Sequence, residues 1–147
     1  MTTKLELFEI LRIKSIEFQI HEHQPLYTVE DSEKLRGKIS GSHTKNLFLK
    51  NKKNSFFLFS CDERAQVDLK QFSKSIEGKN LSFAKEEYLD KYLQIKPGSV
   101  SPFALLNDTK NEVKFYLDEK IAKSKLINFH PLINTTTTVS YTHLTLP

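Results

Sequence analysis

Two apolar runs, Lys45 to Lys50 and Ser55 to Cys61, flank the polar tetrapeptide Asn51-Lys52-Lys53-Asn54, and they constrain the fold of this chain more than any other feature. Leu47 and Leu49 alternate with Phe48 in the first arm, Phe56 and Leu58 with Phe57 and Phe59 in the second, so each arm is apolar on both faces. A hairpin with two apolar faces belongs in the middle of a sheet covered on both sides.

The rest of the chain supplies short elements to surround it. Leu5, Phe8, Leu11 and Ile13 follow the capping pair Thr2-Thr3 at helical spacing, which predicts a helix over 3–14. Ile16 to Ile20 alternates as a half-buried strand, and Thr28 to Asp31 carries a capping-box variant that opens a short helix toward Arg36, stopped by Gly37. Helical spacing returns over 68–76, with Gly78 behind it, and over 84–93; Leu81-Ser82-Phe83 between them is a strand fragment. Pro97-Gly98 marks a turn, and Ser101-Pro102 starts a short helix through Leu106. Strands are predicted over 113–117 and 126–129 and from Thr135 onward, with one helical turn over 119–123. Short strands broken by short helices imply an α+β class, a single compact domain with a mixed sheet.

A chain of 147 residues can bury a core of its own, and its one cysteine, Cys61, cannot form an internal disulfide. The first fifteen residues alternate charge with Leu and Ile, unlike a secretion signal, and no apolar run reaches membrane-spanning length. A cytoplasmic, monomeric protein without membrane contact is expected, with Asn107 and Asn134 unglycosylated despite their N-x-Thr triplets. Val139 to Pro147 carries no charged side chain and resembles the translation of a sequencing-library adapter. The domain is therefore expected over 1–138, with 139–147 a non-native tail that truncates the C-terminal elements.

Charge is concentrated. Between Lys34 and Lys53 stand seven basic side chains, Lys34, Arg36, Lys38, Lys45, Lys50, Lys52 and Lys53, and no Asp or Glu. A local field of one sign suits a polyanionic partner, the alternative being a solvated lysine-rich hairpin.

Of the chemistries that five histidines and one cysteine suggest, metal binding lacks a pattern: His21 and His23 are two apart, and His43 and Cys61 are isolated. No Gly-x-Ser-x-Gly or Walker loop is present, and Cys61 lies in a Phe-rich strand where a buried thiol is inert. No metal or cofactor is expected. What remains are polar groups at strand ends. Lys45 shares a strand face with Leu47 and Leu49, which sets an ammonium at an apolar rim. Gly98-Ser99-Val100 offers backbone N–H groups that can face a carbonyl oxygen or phosphate, and His130-Pro131 pins the loop leading to Asn134 and Thr137. Each also has a plain structural role available, as surface charge, turn or satisfied hydrogen-bonding group.

Three stretches, His43-Thr-Lys-Asn-Leu-Phe-Leu-Lys50, Lys96-Pro-Gly-Ser-Val-Ser-Pro-Phe-Ala-Leu-Leu-Asn107 and His130-Pro-Leu-Ile-Asn-Thr-Thr-Thr-Thr138, together resemble the prolyl-tRNA deacylase family, the ProX/YbaK-type free-standing editing domains similar to the domain inserted in bacterial prolyl-tRNA synthetases. The resemblance runs from about Glu6 to Thr138 and implies a curved mixed sheet flanked by short helices. It implies a trans-editing deacylase acting on mischarged proline tRNA, with aminoacyl-tRNA, and prolyl-tRNA synthetase as an associated protein, for partners. The His-Thr-Lys-Asn-Leu-Phe-Leu form is similar to the branch that clears alanine; clearance of cysteine, or a non-catalytic tRNA- or synthetase-binding module, are the alternatives.

Residue by residue, the resemblance implies that Lys45 holds the tRNA 3′ end with Asn46 beside it, and that Gly98 and Ser99 form the turn orienting the scissile ester, with Val100 next to them expected to contact substrate. His130, Asn134 and Thr137 would wall the pocket, with Tyr27 and Thr28 lining it at a strand-to-helix turn. The basic cluster of Lys34, Arg36, Lys38, Lys50, Lys52 and Lys53 would hold acceptor-stem phosphates. An aminoacyl ester is reactive enough that positioned water and oxyanion donors suffice, and an apolar pocket that admits alanyl and excludes prolyl would act as a size sieve.

Overall fold

The computed structural model describes residues 2–25, 30–31, 34, 39–76, 80–133 and 135–141. Helix α1 spans Lys4–Ile13, begun by the Thr3 hydroxyl, which accepts the Glu6 N–H, and it buries Leu7, Phe8 and Leu11. Strand β1 (Phe18–Glu22) follows, then β2 (Ser42–Lys50) and β3 (Phe56–Asp62). The short helix expected over Thr28–Arg36 falls largely outside the described residues.

Beyond β3, Asp68 caps α2 (Leu69–Ser75), and the fragment β4 (Ser82–Phe83) leads into a single α-turn, α3 (Glu86–Tyr88). The helix expected over 84–93 is not α throughout. From Leu89 to Leu93 it widens into a π-turn, which ends where Gln94 takes a left-handed conformation, φ 52°. The Ser101 hydroxyl accepts the Phe103 N–H and starts a 3-10 helix at Pro102–Asn107, tighter than an α-helix. Asp108 then accepts the N–H groups of Glu112 and Val113, turning the chain into β5 (Val113–Leu117). The chain ends in α4 (Glu119–Ala122), β6 (Leu126–Phe129) and β7 (Thr136–Tyr141).

Among the described residues the strands form one mixed sheet in the order β1-β7-β6-β2-β3-β5, with β4 on the edge of β2. The β2–β3 hairpin lies in the interior, as its two apolar faces require: Leu49 pairs with Phe57 and Phe48 with Leu58, all four buried. Two parallel contacts, β3 with β5 and β2 with β6, make the sheet mixed. The β2–β6 contact is only two residues long, Ser42 opposite Ile127 and His43 opposite Asn128. Gly41 makes it possible, since a Cβ there would meet the Leu126 Cβ at 2.9 Å and its φ is 99°.

The face that carries Phe48, Phe56 and Leu58 packs against Leu89, Leu93, Ile95 and Ala104. Farther along the sheet, Ile127 and Phe129 pack with Leu7, Phe8, Leu11, Phe103 and Ile121. Each fully buried side chain of this size contributes about 1.5–3 kcal/mol. The opposite face is covered at β3 by α2, whose Phe72 ring stacks 4.3 Å from that of Phe59. β7 continues through Val139, Ser140 and Tyr141, so the 138/139 boundary does not interrupt the sheet: Val139 is buried and pairs with Gln19 on β1 and Asn128 on β6. Ladder bonds are made by backbone and tolerate an uncharged, β-branched run. Among the described residues no helix is long and apolar enough to cross a membrane.

Candidate active site

Partway along β2 the sheet has a gap. β6 accompanies β2 only as far as His43, and β4 joins the same edge only at Leu49 and Lys50. In an antiparallel pair, alternate residues turn their peptide groups toward the partner. Here the odd positions of β2 face β3, as the Glu63 N–H bonded to the His43 carbonyl and the Asn51 N–H bonded to the Ser55 carbonyl show at the two ends. Even positions face the other edge, where the Phe48 carbonyl accepts the Ala84 N–H at 2.9 Å. Asn46 lies between, and among the described residues no strand stands opposite it on that edge. Its peptide N–H and C=O open into the gap.

The side chains around this opening come from both faces. Lys45 and Asn46 are neighbours in an extended strand and point to opposite sides. The half-buried Lys45 donates from Nζ to the Ala65 carbonyl, on the loop after β3. On the other side the Asn46 Nδ2 donates to the Val100 carbonyl at 3.0 Å, and its Oδ1 accepts from the fully buried Ser60 hydroxyl. The loop at Pro97-Gly98 is thereby tied to the Asn46 face. Gly98 takes φ 85°, and the Ser99 N–H closes the turn on the Lys96 carbonyl at 3.1 Å. The expectation that Ser99 offers a free N–H does not hold, because the turn consumes that donor and buries the residue. The N–H groups of Gly98 and Val100 carry no hydrogen bond among the described residues.

One wall of the gap is the end of β6. Asn128 stands opposite His43 in the last rung of the β2–β6 pairing, and His130 follows directly after the end of β6. The His130 Nδ1–H donates to the Thr136 carbonyl at 2.9 Å, and burial outweighs this bond and lowers the imidazole pKa. His130 is therefore a neutral ring at pH 7 whose Nε2 has no hydrogen bond among the described residues. Next to it, the buried Thr137 hydroxyl meets the His23 Nε2 at 2.7 Å, and the His23 Nδ1–H is held by the Gln24 carbonyl at 2.8 Å. The His23 and His130 rings lie 6.0 Å apart. His23 was missed in the sequence because its partner is 114 residues away and no local pattern signals the pair. The Asn128 Nδ2 holds the Ser40 and Ser42 carbonyls at 3.1 and 3.0 Å, bracing the start of β2 beside an open cleft of about 250 Å³ lined by Gly41, Ser42, His43, Asp62, Glu63 and Arg64.

The structure thus brings Lys45, Asn46, Gly98 and Val100 around one stretch of β2, and groups His130 and Thr137 with His23 at the end of the neighbouring β6 and β7. It does not bring the hairpin lysines there. Lys50 is five residues along the strand, about 17 Å away, and its Nζ sits 5.7 Å from the centre of the Tyr88 ring. Lys52 and Lys53 are exposed in the hairpin turn, and Lys34 is exposed as well. Tyr27, Thr28, Arg36, Lys38 and Asn134 lie outside the described residues. Among the described residues no three His, Cys, Asp or Glu side chains are grouped to hold a metal ion. Cys61, opposite Lys45, is buried, and burial pushes its pKa up to about 11, so it is a thiol rather than a nucleophilic thiolate.

The profile of the aminoacyl-tRNA editing domain matches residues 23–144 of this chain. The chain is 37% identical over 125 residues to the prolyl-tRNA editing protein ProX of Acetoanaerobium sticklandii, covering 84% of this chain and 76% of that one. It is 35% identical over 134 residues to prolyl-tRNA synthetase associated domain-containing protein 1 of Danio rerio, covering 90% and 73% of the two chains. A crystal structure of a protein provisionally described as a trans-editing enzyme for prolyl tRNA synthetase superposes with a TM-score of 0.73 at 16% identity, over 96% of this chain and 88% of that one, a likeness of fold.

Proposed function

The chain belongs to the aminoacyl-tRNA editing domain family, and from that premise we propose that it is a hydrolase that removes a wrongly attached amino acid, alanine in the first instance, from proline tRNA. The observation that carries this reading is the opening at Asn46, a peptide N–H in a sheet gap with an ammonium on one side and a Pro-Gly turn on the other. The substrate is an ester between an amino-acid carboxyl and the terminal ribose. Water adds to the ester carbonyl, the carbonyl oxygen becomes an oxyanion, and the C–O bond breaks to release the amino acid and the ribose hydroxyl. The difficult part is holding negative charge at the carbonyl oxygen, and preorganised N–H donors supply that.

In this reading the Asn46 N–H, with those of Gly98 and Val100, faces the developing oxyanion. Lys45 leaves the Ala65 carbonyl for the terminal phosphate, a charge-assisted contact stronger than the neutral one it replaces. His130, neutral and with no hydrogen bond on Nε2 among the described residues, and Thr137 bound the amino-acid end, where a ring held in place excludes larger side chains. No side chain needs to attack, in keeping with the protonated Cys61 thiol. Alanine is preferred to cysteine on the His43-Thr-Lys-Asn-Leu-Phe-Leu49 stretch, similar to the alanine-clearing branch.

The test is to incubate the protein with alanyl-, cysteinyl- and prolyl-tRNA of the proline acceptor and follow loss of each ester. Alanyl ester is expected to disappear fastest and prolyl ester to persist. Faster loss of the cysteinyl ester would reassign the substrate, and no loss of any would leave a binding module.

A further inference from the structure

The second wall of the gap is β4, and it carries an aromatic ring that the fold does not use. Phe83 is 62% exposed although it sits in a strand paired with the central hairpin. Its ladder partner is Leu49, and residues opposite one another in a ladder project from the same face. Lys45, Leu47 and Leu49 alternate along one face of β2, so Phe83 stands on the Lys45 side of the sheet, not on the Asn46 side. The distance from Lys45 to the Leu49–Phe83 rung is about 13 Å along the strand. Leu47, half-buried, floors the interval, and beyond the rung the hairpin turn exposes Lys52 and Lys53. One face therefore presents, in line, a cation, an apolar floor and an exposed ring, with the exposed lysines of the hairpin turn following beyond it.

We propose that Phe83 is a stacking platform for an unpaired nucleobase of the RNA 3′ end, set back from the terminal nucleoside whose ester is cut. The inference rests on the reading of Lys45 as the grip on that end. A single strand is held by this combination, charges that follow its phosphates and a ring against which a base lies flat. A protein partner would need a broader apolar surface, and among the described residues the other large exposed apolar side chains are Leu5 and Ile13 on α1, Ile20 on β1 and Ile133 in the loop after β6, none of them on β2, β3 or β4. Stacking accepts any base, so Phe83 contributes affinity and reach without reading sequence.

The chain contains no tryptophan, so Phe83→Trp places a single reporter at the platform. Titration of this variant with an uncharged RNA oligonucleotide ending in cytidine-cytidine-adenosine is expected to quench and shift its fluorescence. Phe83→Ala is expected to raise KM for alanyl-tRNA about tenfold, within the range of one missing base stack. Unlike removal of a lysine, it should leave the slope of log affinity against log salt unchanged, because no counterion is released at a ring. The side chain is exposed, so both variants fold, and matching melts check this. Unchanged Phe83→Trp fluorescence with the oligonucleotide, or an unchanged KM in Phe83→Ala, would overturn the platform even if the ester is hydrolysed. Quenching by RNA in a chain that hydrolyses no ester would uphold the platform and sink the deacylase reading.

Discussion

The Asn46 carboxamide donates to the Val100 carbonyl at 3.0 Å, and by this one bond the central strand holds the Pro-Gly loop against the opening in its own edge. Its oxygen meanwhile accepts from Ser60, which has no exposure. Asn46→Leu removes both bonds and strands a buried hydroxyl, at a cost of about 1–3 kcal/mol. That corresponds to a fall in Tm of roughly 3–10 °C. Adding Ser60→Ala should recover much of the stability while deacylation remains low, because the loop is still untethered. Circular-dichroism melts and an ester-hydrolysis assay on the two variants read the two effects separately.

Lys45 is bonded to a backbone carbonyl and makes no ion pair among the described residues, so its removal should cost activity much more than stability. Lys45→Met keeps the aliphatic stem and is expected to lower kcat/KM by about 10–100-fold, the usual consequence of losing one charge-assisted contact to a phosphate. The melting temperature should move by no more than about 2 °C, as for substitutions that leave no buried group unpaired. Near-parental kcat/KM in a folded Lys45→Met would remove Lys45 from the mechanism.

His130 links stability to acidity. Its pKa is lowered in the fold, chiefly by burial, so the unfolded chain binds the proton first as pH falls. Stability is then fully present above the unfolded value of about 6.5 and declines as pH drops toward the folded value. Melts from pH 7.5 down to pH 5.5 should show a fall that His130→Asn makes shallower. An identical slope in the variant would assign the acid sensitivity elsewhere.

Cys61 is buried with its pKa raised to about 11, and a thiol reagent at pH 8 should leave it unmodified until the protein unfolds. Labelling in urea should therefore track the unfolding curve. Rapid labelling of the native protein would contradict a closed core around this thiol.

The hairpin lysines stand apart from the opening, so their contribution to RNA binding should be purely one of charge. Replacing Lys52 and Lys53 by Ala is expected to weaken tRNA affinity at low salt and to reduce the salt slope by about 0.7–0.9 for each phosphate no longer neutralised. kcat at saturating tRNA should not change. Filter-binding isotherms from 50 to 200 mM salt decide it.

Much of the architecture was legible in local pattern. The doubly apolar arms around Asn51–Asn54 announced an interior hairpin, and Ser101-Pro102 and Pro97-Gly98 marked a helix start and a turn where the structure has them. What local pattern does not carry is pairing between distant segments. Nothing in Ser42-His43 specifies Ile127-Asn128 as neighbours, so the early end of β6, and with it the gap at Asn46, was out of reach. The same limit hid the His23–Thr137 contact and the bond by which Asn46 ties the Pro-Gly turn to the face of the sheet opposite Lys45. The π-turn at Leu89–Leu93 was misread for another reason: Leu89 and Leu93 are four apart, a spacing that an α-helix would also bury.

The pairing of β1 with β7 joins residues 18–22 to residues 136–140, and among the described residues β1 has no other strand beside it. Such a closure is entropically slow, since more than a hundred residues of intervening chain must be gathered before the first rung can form. A nascent polypeptide will therefore carry its first strand unmatched, Phe18 and Ile20 included, until residues 136–140 leave the ribosome, while the β2–β3 hairpin, closed by the five residues 51–55, is already in place. Maturation of this protein is a wait by one strand for its distant mate.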